Sequence, residues 1–143
     1  MKHYKLIIFD LDGTLTPERA SSAAPFEQRL LPGVKEKCRE LREQGIKFAV
    51  ATNQQKVKEY LLFCHMDWLE TQLQLTDWVY ANRSPRDLKP SPSMLQSTMV
   101  LRNIKNNDTL MVGDSIEDQK AAESASVDFE WAKDFFGWEQ EEK

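Results

Sequence analysis

Cysteine, histidine and glycine are scarce in this chain: two, two and five respectively in 143 residues. Two cysteines, Cys38 and Cys64, cannot build a disulfide framework, and without a CxxC or Cys/His cluster no four-ligand structural zinc site is legible. Both read as reduced core thiols. Nowhere do ~18 uninterrupted apolar residues occur, and the amino-terminal run Leu6-Ile7-Ile8-Phe9 is broken by Asp10 and Asp12. No signal peptide or membrane span is visible, so a cytoplasmic location is expected. Neither charge is in large excess: 19 basic against 23 acidic residues give −4, no overall field for holding a polyanion such as nucleic acid.

What is present suffices for one core. Hydrophobic residues make up 41% and aromatics 10% of the chain, and a chain of this length buries roughly 68–70% of its unfolded surface. Residues 1–138 are expected to form a single domain, with the charged end Glu139 to Lys143 frayed. Leu6 to Phe9 is a continuous apolar run, the pattern of a strand covered on both faces within a parallel sheet. Ile46 to Ala51 reads as a second strand ending at Thr52-Asn53, and Thr109 to Val112 as a third ending at Gly113-Asp114. Weaker strands are read at Trp78 to Ala81 and Val127 to Trp131.

Helical spacing fills the intervals. Val34, Cys38 and Leu41 lie between Pro32-Gly33 and Gly45; Val57, Tyr60, Leu61 and Cys64 repeat the 3.6 period. Ser91-Pro92 supplies an N-cap and first-turn proline for a helix turning Met94, Leu95 and Thr98 inward, and Ser115 caps a helix with Ile116, Ala122 and Ala125. Alternating strands and helices predict an α/β fold, a Rossmann-like three-layer α/β/α sandwich around a central parallel sheet. Ligands in such sheets bind outside the carboxyl ends of the strands. Thr16 to Leu31 reads as a long loop, a candidate functional segment.

The polar residues gather at those strand ends. Asp10 and Asp12 lie two apart in Asp10-Leu11-Asp12-Gly13-Thr14, where Gly13 permits a sharp turn. Thr52 offers a hydroxyl, Asn53 an amide, Lys89 a positive charge, and Asp114 and Asp118 two more carboxylates. Singly, each has an ordinary reading as a turn, cap or solvated charge. Together on one rim, like charges repel unless a cation binds. Magnesium takes one or two carboxylates, waters and a substrate phosphate oxygen, and Asp10 and Asp114 suit that role. Phosphoryl transfer needs a nucleophile, charge neutralisation and a proton for the leaving oxygen, all of which this set could supply.

Asp10-Leu11-Asp12-Gly13-Thr14, Ala51-Thr52-Asn53-Gln54, Lys89-Pro90-Ser91-Pro92 and Gly113-Asp114-Ser115-Ile116-Glu117-Asp118 resemble, in order, the four motifs of the haloacid dehalogenase (HAD) superfamily phosphatases. Leu31-Pro32-Gly33-Val34 resembles the HAD subgroup holding histidinol phosphatase, heptose bisphosphate phosphatase and polynucleotide 3′-phosphatase domains. The resemblance implies that Asp10 is nucleophile and magnesium ligand, and that Asp12 is acid and base and lends its backbone carbonyl to the metal. It implies that Thr52 and Lys89 hold the phosphoryl group, that Asp114 binds magnesium and that Asp118 supports it. Backbone amides around Leu11 to Gly13, with Asn53, complete the implied phosphate cradle.

Neither interval that holds a cap domain in many members has room for one here, so no cap is expected and the site should be open. The zinc loop usual in heptose bisphosphate phosphatases is also missing, only Cys64-His65 standing in its interval. Arg19, Arg83 and Arg86 are candidates for a second anionic group, with solvated loop arginines the plainer reading. Trp131, Phe135, Phe136 and Trp138 are expected to pack on the sheet, the alternatives being a dimer face or a platform for a base. The leading expectation is a magnesium-dependent phosphomonoester hydrolase acting on a small phosphorylated metabolite, as a monomer or homodimer without membrane partners. A nucleic acid 3′-phosphatase and a non-catalytic phosphate- or partner-binding module are the competing readings.

Overall fold

A computed structural model describes residues 3–17, 29–53, 73, 75–80 and 88–138. Gln54, the helix read from Val57 to Cys64, His65, the three candidate arginines and the end from Glu139 lie outside the described residues. Five parallel strands run β1 (Leu6–Phe9), β2 (Lys47–Thr52), β3 (Leu75–Tyr80), β4 (Thr109–Gly113) and β5 (Asp128–Trp131), in the spatial order β3-β2-β1-β4-β5. Among the described residues the α-helices are α1 (Val34–Glu43), α2 (Ser93–Arg102), α3 (Ile116–Ser124) and the short α4 (Ala132–Phe136). Among the described residues no helix is long and apolar enough to cross a membrane.

Strand periodicity produces the three layers. Successive side chains of β1 point to opposite faces, so Ile7 and Phe9 join one core with Val34, Cys38, Phe48, Val50 and Val112. Leu6 and Ile8 join the other with Ala49, Ala51, Met94, Leu95, Met111 and Ala122. All four residues of β1 are buried, and removing four such side chains from water is worth at most about 6–12 kcal/mol. A strand apolar on both faces fits only the middle of a sheet covered on both sides, which is where β1 stands. Burial also pushes the Cys38 thiol up to about 12, with only Arg42 pulling it back, so this thiol is chemically inert.

The helix boundaries follow local chemistry. Gly33 takes a left-handed φ of 77° ahead of α1, and Gly45, at φ 86°, ends it. α2 starts one residue later than expected, at Ser93 with Pro92 as the cap residue, because the Ser91 hydroxyl accepts from Ser93 N at 3.3 Å in a turn of its own. β3 starts earlier than the Trp78 read from sequence. Thr76 and Asp77 interrupt the apolar run, and the register against β2 shifts between Phe48 and Ala49.

The strand order fixes where a ligand can sit. The chain builds outward from β1 through β2 to β3, then resumes on the other side of β1 with β4 and β5. The crevice at this reversal, beyond the carboxyl ends of β1 and β4, is the binding position of open parallel sheets. Asp10 follows β1 and Asp114 follows β4.

Candidate active site

Asp10 continues β1 by one residue, its N–H donating to Val112 O at 3.0 Å. The chain then turns sharply. Leu11 O accepts from Thr14, Leu15 and Thr16 N at 3.0–3.2 Å, and Gly13 N donates to Thr16 O at 2.6 Å. Gly13 has φ +81°, and a Cβ there would overlap the Asp114 carboxylate, so only glycine lets the turn approach the neighbouring strand end. The Gly13 N–H closes on Thr16 O, and the missing side chain leaves room for the Asp114 carboxylate.

Lys89 lies at the centre. Its ammonium donates to Asp10 Oδ1 at 2.9 Å, Ala51 O at 2.8 Å and Asp118 Oδ1 at 2.6 Å, which uses all three protons. The side chain is only 3% exposed. Burial alone would lower the Lys89 pKa, but the charges of Asp10 and Asp118 outweigh it and the pKa is raised. The lysine therefore stays charged. Asp10, 13% exposed, is pushed up by burial, pulled back by Lys89 and pushed up again by Asp118, with a raised pKa as the result.

Asp118 is fully buried and divides its two oxygens. Oδ1 takes Lys89; Oδ2 accepts from the N–H groups of Asp114 and Ser115 at 3.1 and 3.2 Å. Ser115 Oγ accepts from Asp118 N in return, a capping box that starts α3. Asp118 thus ties the lysine to the loop presenting Asp114.

Asn53, expected as a phosphate contact, lines the cleft and is tied to the lysine's own backbone. Its Oδ1 accepts from Lys89 N at 2.8 Å and its Nδ2 donates to Lys89 O at 3.2 Å. The side chain clamps the backbone that carries the lysine. Thr52, the last residue of β2, is buried at the cleft wall.

The cleft, about 300 Å³, brings together Asp10, Asp12, Thr52, Asn53, Lys89, Asp114 and Asp118, and adds Glu117 and Ser115 on its rim. Carboxylate oxygens of Asp10, Asp114 and Asp118 lie within 4.8 Å of one another. Three carboxylates against one ammonium leave two negative charges in a partly desolvated space, and an oxygen-only donor set of this kind fits a hard divalent cation such as magnesium. Both Asp118 oxygens already accept hydrogen bonds, from the Lys89 ammonium and from the N–H groups of Asp114 and Ser115.

The comparisons agree with this geometry. The family model described as haloacid dehalogenase-like hydrolase matches residues 18–132, and the chain belongs to that family, among its phosphatases. The match begins after Asp10 and Asp12, so the first strand end rests on its own sequence and geometry. D-glycero-beta-D-manno-heptose-1,7-bisphosphate 7-phosphatase from Yersinia pestis is 27% identical over 147 residues, covering 85% of this chain and 76% of that protein. Phosphoglycolate phosphatase from Pseudomonas putida is 30% identical over 96 residues, 67% of this chain but only 34% of the relative. Among solved structures, D,D-heptose 1.7-bisphosphate phosphatase from B. bronchiseptica, complexed with magnesium and phosphate, superposes with a TM-score of 0.72 at 24% identity, covering 87% of this chain and 78% of that one. A putative phosphoglycolate phosphatase from Lactobacillus plantarum reaches 0.73 at 18% identity over 95% and 89%.

Proposed function

We propose that this protein is a magnesium-dependent phosphomonoesterase acting on a small phosphorylated metabolite through an aspartyl-phosphate on Asp10. The carrying observation is the buried Lys89 ammonium 2.9 Å from Asp10, with Asp10 and Asp114 facing each other across the sheet's reversal point. Asp10, Asp114 and the Asp12 backbone carbonyl would hold the metal, which when bound would supply charge neutralisation for the phosphoryl group. Lys89 holds Asp10 Oδ1, which leaves Oδ2 to attack phosphorus in line with the leaving oxygen. The P–O bond to the alcohol breaks as the Asp10–phosphorus bond forms, and Asp12 gives its proton to the departing oxygen. Asp12, now a carboxylate, takes a proton from the water that attacks the phosphoenzyme, restoring Asp10 and releasing inorganic phosphate. The Thr52 hydroxyl and the amides of Leu11 and Asp12 donate to the phosphoryl oxygens.

A small metabolite is supported by the heptose bisphosphate and phosphoglycolate phosphatases among the relatives. The test is phosphate release from sugar, nucleotide and DNA-end phosphates by chelator-treated protein, with and without added magnesium, beside Asp10→Asn. Activity that returns with magnesium, together with an acid-stable phosphoenzyme lost in Asp10→Asn, is expected. Full activity after exhaustive chelation, or wild-type turnover by Asp10→Asn, would overturn the proposal; steep inhibition by salt on DNA ends alone would favour the nucleic acid reading.

A further inference from the structure

A second cavity, about 390 Å³, opens beside the cleft and shares Asp114 with it; among the described residues Gly13, Trp131, Ala132, Lys133 and Trp138 also line it. Its position follows from the register of the sheet. Trp131, the last residue of β5, pairs with Gly113, the residue before Asp114, so the indole stands one strand beyond the carboxylate. The four aromatics near the carboxyl end divide their work. Phe135 and Phe136 pack on Phe9 with ring centroids at 5.9 and 6.1 Å, whereas Trp131 and Trp138 line the cavity.

Both indoles are held in place. Trp131 meets Phe129 edge to face at 4.9 Å. Trp138 stacks on Phe136 at 5.1 Å, and its Nε1 donates to Pro32 O at 2.6 Å. Rings fixed by packing lose little entropy when a ligand arrives. Lys133 is half-buried at the cavity wall and makes no ion pair among the described residues.

Resting on the phosphatase reading above, we infer that this cavity receives the leaving group of the substrate, an aromatic ring with an anionic substituent directed at Lys133. The size falls within the ~300–1,000 Å³ range of small-ligand sites. Aromatic chemistry is favoured over a sugar by the polar inventory. A pyranose brings several hydroxyls, each of which costs about 1–3 kcal/mol if buried without a partner. Among the described lining residues the Trp138 N–H is already taken by Pro32 and Asp114 is the candidate metal ligand, which leaves Lys133 as the one polar side chain to meet a ligand. A planar ring needs no hydrogen bond and stacks on an indole face.

The test keeps the scissile bond constant by using primary alkyl phosphates: ethyl, cyclohexylethyl, phenethyl and para-carboxyphenethyl phosphate, with a hexose 6-phosphate alongside. Phenethyl phosphate should exceed ethyl and cyclohexylethyl phosphate in kcat/KM by about ten-fold, one decade of rate, and the carboxylate should raise it again. Trp131→Ala should bring the phenethyl-to-ethyl ratio towards one, and Lys133→Met, a surface change that spares the fold, should remove the carboxylate's gain alone. Equal rates for all alkyl phosphates in the wild type, or ratios unmoved in both variants, would overturn the inference while leaving the phosphatase reading intact. A strong preference for the hexose phosphate would replace the aromatic ring by a sugar. If no phosphate is turned over, that reading fails, and para-carboxyphenethyl alcohol titrated to about 10 mM, beyond the millimolar range of weak fragments, tests the cavity directly. Shifts of the Trp131 and Trp138 indole N–H signals that disappear in Lys133→Met would support it; unchanged signals would overturn it.

Discussion

Asp118→Asn preserves shape and removes one charge, yet no orientation of the amide can replace the carboxylate. One oxygen of Asp118 faces the Lys89 ammonium at 2.6 Å and the other faces the N–H groups of Asp114 and Ser115. An amide has one acceptor and one donor group, so its NH₂ must point at donors on one side or the other. The lost charge-assisted hydrogen bond is worth about 1.5–3 kcal/mol. Breaking a buried ion pair from one side typically costs about 3–5 kcal/mol, because the surviving charge stays buried. With both side chains 3% exposed or less, the upper figure applies. Urea unfolding of metal-free protein at pH 7 should show a midpoint lowered by about 1.5–2.5 M, taking a slope of about 2 kcal/mol per M. Lys89→Met fills the same space and should cost a similar amount, since it leaves Asp10 and Asp118 without their shared cation. The double variant should cost clearly less than the two losses added, with a coupling of about 1 kcal/mol or more. A loss below about 1 kcal/mol for Asp118→Asn, with additive behaviour in the double variant, would refute the buried pair.

Two further outcomes follow from the neighbouring carboxylates. Burial raises the Asp10 pKa despite Lys89, so its contribution to metal-free stability is fully present below the ordinary value of 3.8 and is lost as pH rises through the raised value. Asp10→Asn should therefore abolish turnover yet unfold at an equal or higher urea concentration than the wild type at pH 7 without metal; a clearly less stable variant would show that the ionised carboxylate is not strained by its burial. Asp12→Asn should slow phosphoenzyme formation from alkyl phosphates about 10²–10⁴-fold and from aryl phosphates far less, because only a poor leaving alcohol needs the proton. Equal losses in single-turnover measurements would assign Asp12 to holding the turn instead.

The framework was legible because β1, β2 and β4 are apolar runs that stop at polar residues, and a strand apolar on both faces has one place to go. Ser115 announced the start of α3 as its cap, whereas the reciprocal part of Asp118 in that cap came only with the structure. The tie between Asn53 and Lys89 was not legible because the partner is a backbone 36 residues away, and no local pattern records that distance. For Gly13, the sequence shows that the turn is sharp but not that its N–H closes on Thr16 or that Asp114 fills the space beside it. Trp131, Phe135, Phe136 and Trp138 fall within eight residues and look like one cluster. All four are half-buried, and only the sheet register and the short α4 place Trp131 and Trp138 at this cavity while Phe135 and Phe136 pack against Phe9. Lys133, half-buried between those tryptophans, carries no signal that tells it from any other helix lysine.

The reversal of strand order at β1 also makes the cleft a seam between two portions of the chain. Asp10 stands at the seam, Thr52 and Asn53 come from the side built first, and Asp114 and Asp118 come from the side built last. Lys89, which lies between them in sequence, is fastened to both through Ala51 and Asp118. Opening of either portion alone would dismantle the whole constellation, so catalytic activity should vanish with the first sub-global unfolding event rather than with the last. Conversely, a cation and phosphate bound across the seam would act as a rivet, slowing amide exchange in β2 and β4 together, although neither strand touches the other.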